Sequence, residues 1–237
     1  MHSKSIDFMS AKTQKILIGL GIFGTFQFLI LVHLAMYLYI GGSIHQPNLE
    51  AYSFTTNFFS DLGRRRLPGG GINMPTSLIF KTTMAMTGLC VSLFFLAVPS
   101  LFKKKGTKAL ATIAAFFGIV AGISYILIGN IPYDVSYWAH TRYVRIGFIS
   151  FFLMVIFYTF SIFAERDYPN RYGWLFVLFG VILLVQISVM LLGPRSWRSE
   201  EALYLQAVAQ KIVVYAEVIC MLMQAIGAMK ITQEGKV

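Results

Sequence analysis

Long apolar blocks alternate with short polar segments along the chain. Six blocks cover 14–40, 76–102, 109–129, 140–164, 171–193 and 202–229. Each exceeds the roughly 18 residues that a helix needs to cross the hydrocarbon core of a bilayer. Their apolar residues are continuous, whereas barrel strands alternate, and in lipid a helix satisfies its own backbone groups. The pattern predicts an all-α membrane bundle of six transmembrane helices forming one domain.

Composition supports the same class of protein. Hydrophobic residues make up 57% of the 237 residues and charged residues 13%, against roughly 25% charged in soluble domains. Cys90 and Cys220 both lie in apolar blocks, so no disulfide framework is expected. The net charge of +10 comes without a soluble basic and aromatic module. Such basic clusters beside spans are typical of contact with lipid headgroups, so membrane lipids are the expected partners and nucleic acid is not. No cofactor or metal is assigned.

The distribution of lysine and arginine predicts the orientation. With six spans, both termini lie on one side, which carries 11 Lys and Arg residues against 7 on the other. The densest group is the short connection that contains Lys103, Lys104, Lys105 and Lys108. Because basic residues favour the cytoplasmic side, the termini are expected in the cytoplasm.

Ionisable residues inside the apolar blocks are the first candidates for function. They are costly in lipid and usually face a bundle interior. Lys81, Lys211 and His33, with His140, Arg142 and Arg145 at the start of the fourth span, are expected near one level below the outer loops. Three alternatives stay open. Lys81 can snorkel to the interface, the arginines can be interface anchors, and His33 can hydrogen-bond a neighbouring helix.

The sixth span carries a polar stripe. Gln206, Gln210, Glu217 and Gln224 recur at spacings of four and seven, which places them on one helix face. That face is expected to point into the bundle. It can line a cavity or supply hydrogen bonds between helices.

The first outer loop holds the densest polar group. Ser60 and Asp61 can turn the chain and cap a short helix. Asn57 precedes them, and Arg64, Arg65 and Arg66 follow just before three glycines. The arginines could clamp a phosphate or carboxylate, or meet headgroups loosely. In the second outer loop, Asp134 and His140 could converge with Ser60 and Asp61 for acid–base or nucleophilic chemistry.

These motifs resemble the prokaryotic membrane family catalogued as domain of unknown function 998. The likeness rests on Ser60-Asp61-Leu62-Gly63, on Phe80 and Gly88, and on Pro132, Asp134 and His140 before the fourth span. The family's acidic–basic pair in the last span falls on Gln210 and Lys211, so this chain departs from it at Gln210. A weaker likeness is to eukaryotic membrane proteins of lipid trafficking that share the Ser-Asp motif. The resemblance implies six spans in a prokaryotic plasma membrane and no established activity.

Two functions compete, and whether the protein is an enzyme stays open. The first is binding of a lipid or amphiphile in an outward-facing polar pocket, floored by Lys81, His140 and Lys211 and roofed by the loop from Ser60 to Arg66. Its candidate ligand-binding residues are Asn57, Arg64, Lys81, Asp134, Arg142, Arg145, Gln210, Lys211 and Glu217. The alternative is a lipid hydrolase or transferase using Ser60, Asp61 and His140. A haem-binding electron carrier with His33 and His140 as axial ligands, or a transporter using Glu217, is less expected.

Overall fold

The protein is all-helical in the computed structural model, which describes residues 9–234. Within that range there are six long helices and no β-strand. Their bounds are α1 Ala11–Leu38, α2 Thr76–Ala97, α3 Lys105–Asn130, α4 Tyr137–Ala164, α5 Asn170–Leu192 and α6 Glu200–Gln233. A 3₁₀ helix, Val98–Leu101, extends α2. All six are long and apolar enough to cross a membrane, which confirms the predicted fold class.

Helix ends differ from the predicted ends because polar residues continue the helices beyond the apolar blocks. α3 begins at Lys105 rather than 109, and α6 ends at Gln233 rather than 229. Ser10 and Ser199 cap α1 and α6 by accepting hydrogen bonds from the backbone N–H of Thr13 and Ala202. Such caps satisfy N–H groups that the first turn leaves without a partner.

The six helices form a closed ring in chain order. Each helix packs on the next one, and α6 returns to pack on α1. Glycines allow the closest approach, between α2 and α3: a Cβ at Gly88 would press on the Gly122 carbonyl oxygen. Small residues at such crossings are the usual means of packing helices in membranes. The ring leaves an axial space that side chains only partly fill.

Contacts at the helix ends define two faces. On the face here called proximal, Gln14 near the start of α1 donates to Ser100 after α2, and Gln224 of α6 donates to the Tyr172 carbonyl at the start of α5. The first and last described helices therefore begin and end on one side, as predicted. Lys4 and Lys236, which were counted in predicting the orientation, lie outside the described residues.

The opposite, distal face is covered by the loop between α1 and α2, here called the distal loop (39–75). It contains a 3₁₀ helix, Phe59–Gly63, which packs on α1, α2 and α3. Asn73 donates to the carbonyls of Leu62 and Arg64, which fixes the end of this turn. The loop is therefore a hydrogen-bonded plug over the ring.

Candidate functional site

Two cavities lie in the distal half of the ring. The inner cavity, of about 100 Å³, is on the ring axis and is mostly apolar, with lining residues from every helix except α5. The distal cavity, of about 410 Å³, lies between α4, the end of α5, α6 and the distal loop. Both are lined by Ser60, Val144, Phe148 and Gln210. An apolar cavity and a cavity of mixed polarity thus share one wall.

The wall of the distal cavity combines polar and charged groups with apolar ones, and several of its lining residues are aromatic. Arg145 and Arg195 contribute guanidinium groups. Arg145 is exposed and has no ion-pair partner among residues 9–234. The Arg195 guanidinium carbon lies 5.3 Å from the centre of the Trp197 ring. The remaining polar and aromatic lining residues include Tyr133, Tyr137, Trp138, His140, Gln186 and Gln206.

His140 is held rigidly at this cavity. Its Nδ1 lies 2.7 Å from the Ile131 carbonyl oxygen, and its ring packs edge-on against Tyr133. Since a carbonyl only accepts, Nδ1 carries the hydrogen in this bond. The other nitrogen, Nε2, is buried without a hydrogen-bond partner in the described structure. The side chain is therefore positioned by its bond to the backbone.

The predicted catalytic set of Ser60, Asp61 and His140 is not assembled by hydrogen bonds. Asp61 Oδ2 accepts from Asn57 Nδ2 at 3.1 Å and from the Phe58 backbone N–H at 2.8 Å. No hydrogen bond in the described part of the chain joins Asp61 to His140 or to Ser60. The carboxylate is used to fold the distal loop, and the hydrolase alternative stays a prediction.

Burial dominates the electrostatics of Asp61. Desolvation raises the pKa of its carboxyl above the ordinary value, while the Arg64 charge and the hydrogen bonds from Asn57 and Phe58 act in the opposite direction. Arg64 lies 3.5 Å from Asp61 Oδ1 and 5.5 Å from the centre of the Tyr133 ring. Its guanidinium is therefore committed to the loop. The predicted clamp of three arginines is wrong, because Arg65 and Arg66 are exposed and contribute only backbone groups.

Asp134 and Asn57 also serve the loop. Asp134 accepts hydrogen bonds from the backbone N–H groups of Arg65 and Arg66, which ties the α3–α4 connection to the distal loop. Asn57 is fully buried and donates to the Gly42 carbonyl as well as to Asp61. Neither residue lines a cavity. These hydrogen bonds fix the conformation of the two outer loops, which explains why each loop carries a short polar motif.

The predicted lysine floor of the pocket is wrong. Lys81 is exposed on α2, away from both cavities. Lys211 is 1% exposed, but its amine donates to the Asn57 carbonyl at 2.5 Å and so binds the distal loop. Arg142 is exposed and lines neither cavity. Of the predicted cations, only Arg145 reaches the distal cavity.

The polar stripe of α6 faces the interior, as predicted, and most of it binds other helices. Gln206 donates to the carbonyls of Val189 and Pro194 at the end of α5. Gln210 Oε1 accepts from the Phe59 N–H at 2.9 Å. Glu217 lines the inner cavity and accepts a hydrogen bond from the Tyr125 hydroxyl of α3 at 2.5 Å.

His33 joins α1 to α6. Its Nδ1 lies 2.7 Å from the Leu29 carbonyl oxygen and its Nε2 lies 2.9 Å from the Tyr215 hydroxyl. The interpretation of His33 as a hydrogen-bonding residue between helices is confirmed. With both nitrogens engaged, the ring is not free to serve as an axial haem ligand in this arrangement. Among residues 9–234, no group of three or more His, Cys, Asp or Glu side chains could hold a metal ion.

Comparison with known proteins assigns the chain to a family. Residues 21–227 match the sequence profile described as "Protein of unknown function (DUF998)". The chain belongs to the DUF998 family. Searches of curated proteins and of solved structures each found no match. The family description names no function, so the site is interpreted from its geometry.

The DUF998 motif residues have a packing explanation. Gly63 ends the distal 3₁₀ helix against the buried Phe80 ring, and a Cβ at Gly63 would press on that ring. Gly88 makes the closest contact between α2 and α3. In this DUF998 chain, the motif therefore fixes the plug over the ring and the ring itself, while the distal cavity is lined largely by other residues.

Several cavity residues were missed by reasoning from the sequence. Gln186, Arg195 and Trp197 line the distal cavity but were not singled out. Gln186 is the one amide side chain in the fifth apolar block, 171–193. The sequence could have indicated Gln186, because an uncharged polar residue inside a span also prefers the bundle interior.

Proposed function

We propose that this protein binds an anionic lipid or another anionic amphiphile. The headgroup would occupy the distal cavity, and an apolar tail would pass Ser60 and Gln210 into the inner cavity. The observation that carries the proposal is the pair of adjoining cavities, of which the inner is almost wholly apolar and the distal adds polar and cationic groups, as the two ends of an amphiphile require. A ligand with only one of these ends would leave the other cavity unmatched.

The charge of the distal cavity supports an anionic headgroup. Arg145 and Arg195 line it, and neither has an ion-pair partner in the described structure. A guanidinium binds phosphate or carboxylate through two parallel hydrogen bonds, which are stronger than neutral ones. Trp138 and Trp197 at the rim are of the type that lies at headgroup level in membranes.

The inner cavity supports an acyl or other hydrocarbon tail. Phe28, Phe80, Met84, Val214 and Met221 are among its lining residues. Apolar cavities of this kind favour apolar occupants, and methionine adapts to irregular shapes. Glu217 is the one ionisable carboxyl among its lining residues and is hydrogen-bonded to Tyr125.

We further propose that the chain lies in the plasma membrane of a prokaryote with its termini in the cytoplasm. The distal cavity would then open toward the outside. The support is the excess of lysine and arginine that the sequence predicts for the side of the termini, 11 against 7, together with membership of the family.

Co-purified lipid tests the binding proposal. Arg145→Met removes the unpaired cation of the distal cavity, and Arg142→Met is its matched control three residues away on an exposed face of the same helix. Losing a charge-assisted hydrogen bond weakens binding by about tenfold. Lipid should be quantified by mass spectrometry after identical detergent purification.

We expect Arg145→Met to retain about tenfold less anionic lipid than the wild type, and Arg142→Met to match the wild type. Equal retention by all three proteins would overturn the proposal. Equal loss in the two variants would also overturn it, since that result would mean loose attraction to surface charge.

A further inference from the structure

Four residues line both cavities and are here called the neck: Ser60, Val144, Phe148 and Gln210. Val144 and Phe148 are apolar, so Ser60 and Gln210 carry the polar side chains of the neck. Gln210 Oε1 accepts from the Phe59 N–H at 2.9 Å, and Ser60 follows Phe59 directly in the distal 3₁₀ helix. This hydrogen bond places the Gln210 amide beside the backbone that carries Ser60.

Both polar side chains of the neck keep a hydrogen-bond donor without a partner. Because Gln210 Oε1 accepts from a backbone N–H, the other atom of the amide is Nε2, which only donates. No hydrogen bond within residues 9–234 engages this nitrogen or the Ser60 hydroxyl. Six side-chain atoms of the described structure are buried without a partner, but these two atoms are not among them, so both keep accessible surface. The two donors are therefore open to a molecule that occupies the neck.

The neck is the place where the two ends of a bound amphiphile join. With the headgroup in the distal cavity and the tail in the inner cavity, the linking atoms pass Ser60 and Gln210. In an acyl ester these atoms include a carbonyl oxygen, which accepts hydrogen bonds. In an ether-linked lipid or an isoprenoid phosphate, a methylene group takes the place of that carbonyl. A donor removed from water costs free energy when it is left without an acceptor, so the two kinds of linkage differ in affinity.

We propose that the neck selects amphiphiles whose apolar chain is joined through a carbonyl, as in an acyl ester, over those joined through an ether or directly to phosphate. This inference rests on the proposed binding of an anionic amphiphile across both cavities. Gln210 Nε2 and the Ser60 hydroxyl donate to the carbonyl oxygen of the ligand. A carbonyl oxygen has two lone pairs, so one ligand oxygen can accept from both donors. A site that donates to a ligand group discriminates against an analogue that lacks the group.

A matched pair of lipids tests the selection. Dioleoyl phosphatidylglycerol and its dioleyl ether analogue have the same headgroup, charge and chain length, but only the first has carbonyl oxygens. The wild-type protein is placed in nanodiscs that contain equal amounts of both lipids in a background of ether-linked phosphatidylcholine. Bound lipid is then identified by native mass spectrometry. Two net hydrogen bonds predict a preference of about tenfold for the ester.

Two variants assign the preference to the neck. Gln210→Glu replaces the donor by an acceptor of similar shape and keeps an oxygen for the Phe59 N–H, so the contact with the distal loop is retained. Ser60→Ala removes the second donor. We expect each variant to lower the ester preference to about threefold or less, because one hydrogen bond is lost. The negative charge that Gln210→Glu adds acts equally on the two lipids, since their headgroups are identical.

Ser124→Ala is the matched control for the loss of a hydroxyl. The Ser124 hydroxyl donates to the Val120 carbonyl of its own helix, and Ser124 lines neither cavity. This control should keep the wild-type preference. The preference is a ratio measured within one sample, so a fraction of misfolded protein in any variant lowers the binding of both lipids and leaves the ratio unchanged.

The outcomes separate this inference from the function on which it rests. Equal binding of the ester and the ether, both above phosphatidylcholine, would overturn the carbonyl selection and leave the binding of anionic amphiphiles intact. Binding of neither above phosphatidylcholine would overturn the proposed function itself. An ester preference that persists unchanged in both Gln210→Glu and Ser60→Ala would overturn the assignment to the neck.

A free fatty acid identifies the source of the carbonyl, since it presents the same chemistry without a glycerol ester. Displacement of bound dioleoyl phosphatidylglycerol by an equimolar amount of oleate would support a free fatty acid as the molecule that the neck binds. Retention of the lipid against oleate would support the ester of a membrane lipid, with the headgroup in the distal cavity contributing to affinity.

Discussion

The buried amine of Lys211 binds the distal loop to α6. It donates to the Asn57 carbonyl and lies 5.3 Å from the centre of the Tyr52 ring and 4.6 Å from that of Phe59. A cation over aromatic faces is stabilised when it is removed from water. Lys211 therefore holds the distal loop over the ring. These contacts offset the free-energy cost of burying its amine, so no ligand is needed for that purpose.

Replacing Lys211 by Met should destabilise the protein. The variant keeps the apolar stem but leaves the Asn57 carbonyl with only the Tyr52 hydroxyl at 3.4 Å. We expect a loss of about 1–3 kcal/mol in the free energy of unfolding, measured by thermal unfolding in detergent. Lys81→Met is the control, since Lys81 is exposed on α2. Equal unfolding temperatures for both variants would contradict this role.

The contrast between Lys211 and Lys81 shows what the sequence cannot predict about a single residue. Both lie in apolar blocks, so their cost in lipid is visible in the sequence. The direction in which each side chain points depends on the rotation of its helix against its neighbours. Hydropathy carries no information on that rotation when most of a helix is apolar, and so both lysines were predicted to floor one pocket, with snorkelling as the alternative for Lys81 alone.

At the scale of elements, α2 and α3 are packed through their glycines. A Cβ at Gly88 would press on the Gly122 carbonyl oxygen and the Ile126 side chain. Elsewhere on α3, Gly106 has open space around the same position. The two glycines therefore differ in whether an added Cβ would press on a neighbouring helix.

Gly88→Ala and Gly106→Ala should therefore have opposite effects. At Gly88 the added methyl group forces the helices apart, and we expect a loss of about 1–3 kcal/mol. At Gly106 alanine improves helix propensity by up to about 1 kcal/mol. Thermal unfolding of both variants in the same detergent checks this. A neutral Gly88→Ala would mean that the close crossing of α2 and α3 does not exist.

The connection after α4 is fastened to the start of α3 by Glu165. The carboxylate accepts from the Thr107 hydroxyl at 2.7 Å and from the Lys104 N–H at 3.3 Å. Burial opposes its ionisation, but these hydrogen bonds and the Lys104 charge outweigh burial and lower its pKa. A lowered pKa contributes stability above the ordinary value for glutamate, and that stability is lost as the pH falls through the folded-state pKa.

Glu165→Gln should consequently be pH-dependent in its effect. Near pH 7 we expect the variant to be about 1–3 kcal/mol less stable than the wild type, the worth of hydrogen bonds to a charged group. Below pH of about 4.3, the ordinary pKa of glutamate, the gap should shrink as the wild-type carboxylate is protonated. Unfolding temperatures at both pH values measure the gap. If the difference in stability between the variant and the wild type stays constant with pH, the role of the Glu165 charge is contradicted and the loss comes from packing.

The six helices were predictable from the sequence, whereas only some of the residues that line the distal cavity were. Block length alone identified six helices, because no soluble helix needs such continuous apolarity. His140, Arg145, Ser60 and Gln210 were selected as costly or motif residues, and all four line the distal cavity. Arg195 lies in a loop where an arginine has no cost, so nothing in the pattern distinguished it from Arg198.

At the scale of the whole molecule, a closed ring with one plugged end creates the two cavities. The distal loop covers the axis, and the ring leaves the distal cavity between α4, α5 and α6. The proximal face instead carries short connections held by Glu165 and by the pair of Lys103 and Asp167, 3.7 Å apart. The described structure thus offers a ligand a large cavity on one face.

Cysteine labelling in intact cells tests the proposed orientation. Cys90 and Cys220 are buried, so the wild type should label weakly and serve as the blank. Asn48 is exposed on the distal loop and Lys12 is exposed near the start of α1. A membrane-impermeant maleimide should label Asn48→Cys in intact cells and Lys12→Cys only after permeabilisation. The reverse pattern would place the termini outside.

The most direct test of the proposal that the two cavities bind an anionic lipid is a crystal structure from crystals grown in a lipid mesophase doped with phosphatidylglycerol. We expect density for one lipid with its phosphate oxygens about 3 Å from the Arg145 guanidinium, a hydrogen-bond distance. Its acyl chain should pass Ser60 and Gln210 into the inner cavity. Ordered lipid only on the outer surface of the ring, with the distal cavity holding water alone, would contradict the account.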